Sequence, residues 1–398
     1  MQYDVIICGG GAAGMFAAAA IAEEAPALKV LVLEKGSVPL AKVRVSGGGR
    51  CNLTHAYSDI REFLKNYPRG ERELIGAFHR FGPAETTAWF ESHGVPLVTL
   101  DDGCVFPRSD TSEDVINALL KTAARGAVEI RTGSDVLHIG RSESGFEVTL
   151  RGGKKERCGK LLIATGGGAF IEGLGHAIEP CVPSLFTFSA GDKALCGLSG
   201  IVVDGVEVSA GKLKAGGALL ITHSGVSGPA VLKLSSAGAR VFAEQNYRFE
   251  MKINWLPERR EEQVFETLEQ TRAASPRKQI GTWSPLGLPA RLWKLLIQRA
   301  GIDETKEWGG CSSKNLRQLA AQVCGYTLSV AGKNPHREEF VTCGGVRLSE
   351  VDFKTMESRL HRGLYFAGEV LDIDAYTGGY NLQSAWTTGA IAAQSLRV

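Results

Sequence analysis

The stretch that most constrains this chain is residues 3–34. Tyr3–Cys8 reads YDVIIC, a short apolar run rich in β-branched residues, and predicts a buried strand. Gly9-Gly10-Gly11-Ala12-Ala13-Gly14 follows at once, and Met15–Ala25 has the small-residue composition of a packed helix. Lys29–Leu33 (KVLVL) predicts a second buried strand closed by Glu34. Strand, G-x-G-x-x-G, helix, strand and acid, with the acid twenty residues past the last glycine, is the order of a dinucleotide-binding unit. Gly9 allows a sharp turn out of the strand, Gly11 lets a pyrophosphate approach the backbone, and Gly14 lets helix and sheet pack closely. The helix start offers free N–H groups to phosphate, and Glu34 can accept from a ribose diol.

A second glycine loop, Ser46-Gly47-Gly48-Gly49-Arg50-Cys51-Asn52, is too glycine-rich for a helix interior and suits a backbone that approaches a flat or anionic ligand. Flavin disulfide reductases carry a C-x-x-x-x-C pair at about this place. Here the partner position of Cys51 is Ala56, so disulfide exchange is not expected and Cys51 reads as a buried neighbour of the ligand. Lys160–Gly168 (KLLIATGGG) predicts a buried strand ending in glycines. Gly363–Glu369 (GLYFAGE) predicts another, and Gly378-Gly379-Tyr380-Asn381-Leu382-Gln383 opens a helix running through Ala393. A glycine pair at a helix start again exposes N–H groups, a positive end suited to an anionic reduced flavin.

Between these ends the pattern changes. Residues 59–94 predict helix, 95–107 two short strands, and Ser112–Arg125 a helix with Ser112 as N-cap. Residues 128–164 predict strands with turns at Ser144-Gly145 and Gly152-Gly153. Residues 200–254, including GALLITHSGVSGPAVLKLS, read as alternating strands, and 258–325 as charged helices. The expected domains are therefore a discontinuous one over 1–189 and 336–398, an inserted β domain over 190–256 and an inserted helical domain over 257–335. No second G-x-G-x-x-G follows a strand, so no dedicated nicotinamide domain is expected.

Composition narrows the classes. At 44% hydrophobic and 22% charged, 398 residues can bury a substantial core. A net charge of +2 gives no nucleic-acid footprint, and the expectation is a small-molecule substrate with neither nucleic-acid nor membrane partner. The N-terminus lacks a signal-peptide pattern, so a cytoplasmic location is expected. Nine scattered cysteines without C-x-x-C or zinc spacing read as reduced thiols, with no metal site.

Taken together, GGGAAG, SGGGRCNLT, VFPRSD (Val105–Asp110), ATGG, TCGGV (Thr342–Val346) and GLYFAGEVLDIDAYTGGYNLQ make the chain resemble the YhiN-like FAD-dependent oxidoreductases over nearly its whole length. That family includes aminoacetone oxidase-like and bile-acid 3-dehydro-4-ene reductase-like enzymes. The resemblance implies an α/β fold: a Rossmann-type, glutathione-reductase-like FAD-binding domain made from both chain ends, with an inserted β-barrel plus helical domain. It implies that Gly9, Gly11, Ala12, Ala13 and Gly14 hold the pyrophosphate and Glu34 and Lys35 the ribose end. Lys42, Val43, Arg44, Ser46, Gly48, Gly49, Arg50, Cys51 and Asn52 would run along the cofactor. Val136 would meet the adenine by its backbone. Thr165, Gly166 and Gly167 would lie beside the cofactor, with Gly368, Glu369, Asp372, Gly379, Asn381 and Leu382 at the flavin end.

Three departures from that family stand out: the short segment Gly168–His176, His55 where Asn is usual, and Ala375-Tyr376 with Ser384 at the flavin-side turn.

The expected enzyme is an FAD-dependent oxidoreductase in which NAD(P)H binds transiently and a hydride passes through flavin N5 to a small acceptor such as an enone. Three alternatives stay open: an oxidase of an amine or alcohol using oxygen, a flavoprotein acting on tRNA, and a redox-sensing flavin module. A fumarate-type enzyme would need a His-Thr/Arg set that residues 190–335 do not offer. No catalytic residue is assigned; Arg50, Asp110, Cys343 and Tyr376 are the candidates for a proton donor.

Overall fold

The computed structural model describes every residue except 1, 58, 144, 167–172 and 334–340. The described residues form two compact units, Met1–Val182 with Val341–Val398, and Pro183–Phe340.

The first unit is built on five parallel strands: β1 (Tyr3–Cys8), β2 (Val30–Leu33), β3 (Val128–Arg131), β4 (Lys155–Ile163) and β5 (Leu364–Phe366). Their order across the sheet is β3-β2-β1-β4-β5, the doubly wound order that reverses at β1 and β4. Register is set by pairs such as Ile7↔Val32, Ile7↔Leu162 and Tyr365↔Leu162. Most of β1, all of β2 and β5 and the end of β4 are buried, which is why those stretches read as apolar runs; β3 (VEIR) at the edge is only partly buried. Helix α1 (Ala12–Glu24) is buried almost all round, from Ala13 through Ala19 and at Ile21 and Ala22. It packs against helix α2 (Tyr380–Leu396) and the helix Glu113–Ala123. Small residues permit this: a Cβ on Gly389 of α2 would lie 2.6 Å from the Ala13 carbonyl oxygen.

Residues 59–94 form three helices, Ile60–Leu64, Glu71–Phe78 and Pro83–Ser92, because Tyr67-Pro68-Arg69-Gly70 and Gly82-Pro83 interrupt the periodicity. Ser112 precedes the helix Glu113–Ala123 without capping it. Its hydroxyl donates to the Arg44 carbonyl instead, which ties that helix to the second glycine loop.

The second unit holds a closed six-strand barrel. Its strands, in order round the barrel, are Phe188–Ala190, Gly225–Ser227, Leu213–Thr222, Val202–Ala210, Phe249–Asn254 and Tyr326–Lys333. The strand reading of 200–254 is corrected over Pro229–Ala237 and Ala239–Glu244, which are helices. Gly228 at φ +94 turns the chain, Pro229 occupies the first helical position, and Ala230, Val231 and Leu234 supply a buried face. One hydrophobic core runs through the strand-rich and helix-rich parts alike, from Phe188 and Met251 to Trp293, Trp308 and Leu328. The last barrel strand follows the described helices of this unit in sequence and closes on both Phe188–Ala190 and Phe249–Asn254. No helix among the described residues is long and apolar enough to cross a membrane.

Candidate cofactor site

The first glycine loop leaves β1 at Gly9, whose φ of +109 and lack of a side chain are both required. A Cβ there would lie 2.4 Å from the Ala164 carbonyl oxygen and 2.9 Å from the Thr165 Cα. Gly9 thus brings the Ala164-Thr165-Gly166 turn beside the G-x-G-x-x-G loop. Gly14 is required for a different reason: its Cβ would lie 2.0 Å from the Gly9 carbonyl oxygen. Gly11 has ordinary backbone angles and faces open space, with nothing within 4 Å of a Cβ. The first intrahelical bond of α1 runs from Met15 N–H to the Gly11 carbonyl, and no side chain caps the helix. The amides of Ala12, Ala13 and Gly14 precede that bond, so an open, positively polarised cradle stands where Gly11 clears the approach.

Glu34 supports the same loop. One carboxylate oxygen accepts from Gly10 N–H at 2.8 Å and the other from Gly36 N–H at 2.7 Å. Each oxygen keeps a further lone pair for a ribose hydroxyl. Ser134 N–H and Gly133 N–H bond the carbonyls of Glu34 and Gly36, which draws the segment leading to Val136 towards this end; Lys35 is exposed.

Lys42, Val43 and Arg44 lie on the short helix Ala41–Val45, and Ser46–Gly49 forms a tight turn with Gly47, Gly48 and Gly49 all at positive φ. Val43 is buried, so only its backbone can meet a ligand. Arg44 pairs with Glu113. Gly48 and Gly49 have nothing within 4 Å of a Cβ. Cys51 is fully buried at φ +63, and burial pushes its thiol up to about 12, which makes it unreactive. Lys42 reaches Glu369 at 2.8 Å, and Glu369 also accepts from Thr342 N–H at 2.7 Å. Gly166, at φ +79, has the same Glu369 carboxylate 3.2 Å from its Cβ position. Gly368 donates to Thr388 Oγ1 and lies against Ala13. Lys42, Gly166, Glu369 and α1 therefore meet at one place. Gly167 lies outside the described residues.

At the head of α2, Gly379 adopts φ +90, and a Cβ there would lie 2.6 Å from the Thr54 carbonyl and 2.8 Å from Asn52 Oδ1. The first bond of α2 is Gln383 N–H to Gly379 O, so the amides of Tyr380, Asn381 and Leu382 precede it. Asn381 clamps the preceding turn with both halves of its amide, accepting from Ala375 N–H and donating to Ala375 O, each at 2.9 Å. Asp372 is buried, and its N–H bonds the Val346 carbonyl.

At these two places, among the buried oxygens without a hydrogen-bond partner in the described residues, are Thr165 Oγ1 and Asn52 Oδ1. Orphaned polar atoms beside two open helix starts fit an elongated ligand with a diphosphate and polar ring edges. The residues present therefore fit FAD.

The proton-donor candidates separate into two groups. Arg50 and Asp110 pair at 3.5 Å and are largely exposed, with the guanidinium 4.3 Å above the Phe106 ring. Cys343 is buried, and Cys343 and Tyr376 both interact with Arg69, which forms a buried ion pair with Asp374. Burial raises the Tyr376 phenol above its ordinary value. Sequence reasoning missed Arg69, Asp374 and the aromatic cluster of His55 with Tyr57 and Tyr380, whose ring centroids lie 4.8 and 5.0 Å from that of the imidazole. Arg69 and Asp374, and likewise His55 and Tyr380, lie more than 300 positions apart in the chain, and no local pattern announces them. A cleft of about 720 Å³ around Ala77, Arg80, Leu348 and Phe353 includes none of the cofactor candidates.

The sheet order and the paired glycine cradles define a Rossmann-type, FAD-dependent oxidoreductase. Residues 3–395 match the HI0933-like protein Rossmann domain, and the chain belongs to that family. It is 31% identical to the ribosomal RNA dihydrouridine synthase of Escherichia coli, over 99% of this chain and 98% of that protein. It is 28% identical to the 3-dehydro-bile acid delta(4,6)-reductase of Clostridium scindens, over 98% of each. Among solved structures, the 3-ketosteroid-delta4-(5alpha)-dehydrogenase of Rhodococcus jostii shares the fold, with a TM-score of 0.52 at 16% identity over 100% of this chain and 97% of that one.

Proposed function

We propose that this chain uses NAD(P)H to saturate a carbon–carbon double bond conjugated to a carbonyl, and that its substrate is a uracil ring in RNA. The observation that carries this reading is full-length similarity, at nearly equal identity, to two relatives whose names give different substrates but one bond change. Dihydrouridine is uridine with the ring double bond next to its carbonyl reduced. A delta(4,6)-reductase acting on a 3-dehydro steroid reduces double bonds conjugated to the ketone. RNA comes first because a second relative, from Haemophilus influenzae, is also named a ribosomal RNA dihydrouridine synthase, at 29% identity over 98% of each chain.

The charge argument against nucleic acid rested on the whole chain. Residues 183–340 carry twenty Lys and Arg against fifteen Asp and Glu, so a net charge of +2 averages a basic unit with an acidic one.

Bound FAD supplies the hydride through N5. The chain's own residues do the rest. The Ala12–Gly14 amides bind the diphosphate, Glu34 orients the ribose, and Lys42 and Glu369 fix the Gly166 turn. The free amides at the head of α2 stabilise negative charge on the ring. Tyr376, with its phenol protonated at neutral pH, and Cys343 remain the candidates to deliver the proton.

The test is product analysis. FAD-loaded protein, reduced with NADPH or NADH without oxygen, is incubated in parallel with unmodified ribosomal RNA transcript and with a simple cyclic enone. Dihydrouridine in the digested RNA supports the full reading. Reduction of the enone alone keeps the reaction and removes the RNA substrate. Reduction of neither contradicts both.

A further inference from the structure

The His55 side chain touches the turn in front of α2. It is 9% exposed and held in strand register opposite Cys104. Its Nδ1 lies 3.1 Å from the Gly378 carbonyl oxygen. A carbonyl only accepts, so Nδ1 carries the proton of the neutral ring and Nε2 has the lone pair. Nε2 faces Gly103, where a Cβ would lie 2.4 Å away, so only glycine leaves that nitrogen uncrowded. The ring stacks on both Tyr57 and Tyr380, which also touch each other, and Gly378 fits only without a side chain, since its Cβ would lie 2.7 Å from Tyr380 and 3.3 Å from His55 Nδ1.

We propose that His55 is a positioning residue that holds the Gly378-Gly379 turn against the flavin and takes up a proton when the flavin is reduced. The proposal rests on the flavin end of FAD lying at the head of α2. Reduction delivers a hydride, two electrons and one proton, and leaves the ring a monoanion. A second proton, from water, binds His55 Nε2 and converts neutral imidazole to imidazolium, so the negative charge meets a positive one beside the α2 amides. The other titratable groups facing the ring fit this part. Burial raises both the Cys104 thiol and the Tyr380 phenol, so both stay protonated, and Tyr57 stacks on the imidazole. Asp102 is the carboxylate whose charge favours the imidazolium. Burial holds His55 below its ordinary value while the site is uncharged, which leaves room for a rise on reduction.

The experiment is a dye-equilibrated anaerobic measurement of the two-electron flavin potential against pH, on FAD-loaded wild-type protein and His55→Gln. Glutamine keeps a donor for Gly378 and cannot titrate. The wild type is expected to show a steeper, two-proton segment that the variant lacks. The gap between them opens by about 30 mV for each tenfold rise in His55 proton affinity on reduction. His55→Asn is read the same way should the longer amide fail to load FAD. His176→Gln, which removes another buried imidazole, is expected to keep the steep segment. Parallel curves for the wild type and His55→Gln, or loss of the segment in His176→Gln, overturn the proposal while the cofactor reading stands. A wild-type protein that takes up no FAD overturns both.

Discussion

Gly11 and Gly14 belong to the same motif but answer to different forces, and substituting each should separate folding from cofactor binding. A Cβ at Gly14 would lie 2.0 Å from the Gly9 carbonyl oxygen and 3.1 Å from Ile7 Cγ2. The first of these is backbone at the end of the central strand and cannot swing aside. Gly14→Ala should therefore destabilise the protein without FAD by at least the ~1–3 kcal/mol typical of overpacking. In a unit of this size each kcal/mol shifts Tm by roughly 2–4 °C. Gly11 has nothing within 4 Å and φ −80, which any residue adopts. Gly11→Val should leave the FAD-free Tm within a degree or two and place its side chain where the diphosphate approaches. If that overlap also costs about 1–3 kcal/mol, FAD affinity falls roughly 5- to 150-fold. The assays are thermal unfolding of the FAD-free proteins and titration by flavin fluorescence. A Gly11→Val protein that binds FAD like the wild type refutes the cradle; a Gly14→Ala protein that melts like the wild type refutes the packing argument.

Further outcomes can be checked on the same preparations. Glu34→Ala removes the acceptor for Gly10 and Gly36 N–H, and should lower FAD affinity and cost about 1–3 kcal/mol of stability; denaturant unfolding reads the second effect. Arg69→Ala leaves the carboxylate of fully buried Asp374 without its main counter-charge, and should cost about 3–5 kcal/mol in the same assay. Burial holds both His55 and His176 below the ordinary imidazole value. The unfolded chain then binds protons first as the pH falls, so stability should be full above about pH 6.5 and decline below it. His176→Gln should flatten that decline in a Tm-against-pH series.

Much of the nucleotide-binding unit was legible because its requirements are local. The strands buried on both faces show as apolar runs, and the glycines sit where a carbonyl or open space excludes a side chain. The barrel and helices of the second unit were half legible. Pro229–Ala237 carries enough Val and Leu to pass for a strand, and only Gly228-Pro229 marks it as a helix start. Ser112 looked like a cap, but its hydroxyl finds Arg44, far away in sequence. The same limit hid His55, whose partners Gly378 and Tyr380 arrive from the other end of the chain. Whole-chain charge hides the positive excess of residues 183–340, because the rest of the chain carries a negative one.

If both chain ends build one FAD site that a nicotinamide can reduce, an anaerobic absorption titration of the FAD-loaded protein with NADH and then NADPH should reveal it. The flavin bands are expected to bleach with one of the two and to return when an acceptor with a conjugated double bond is added. A protein that shows no flavin bands after incubation with FAD, or bands that neither nicotinamide bleaches, contradicts that assignment.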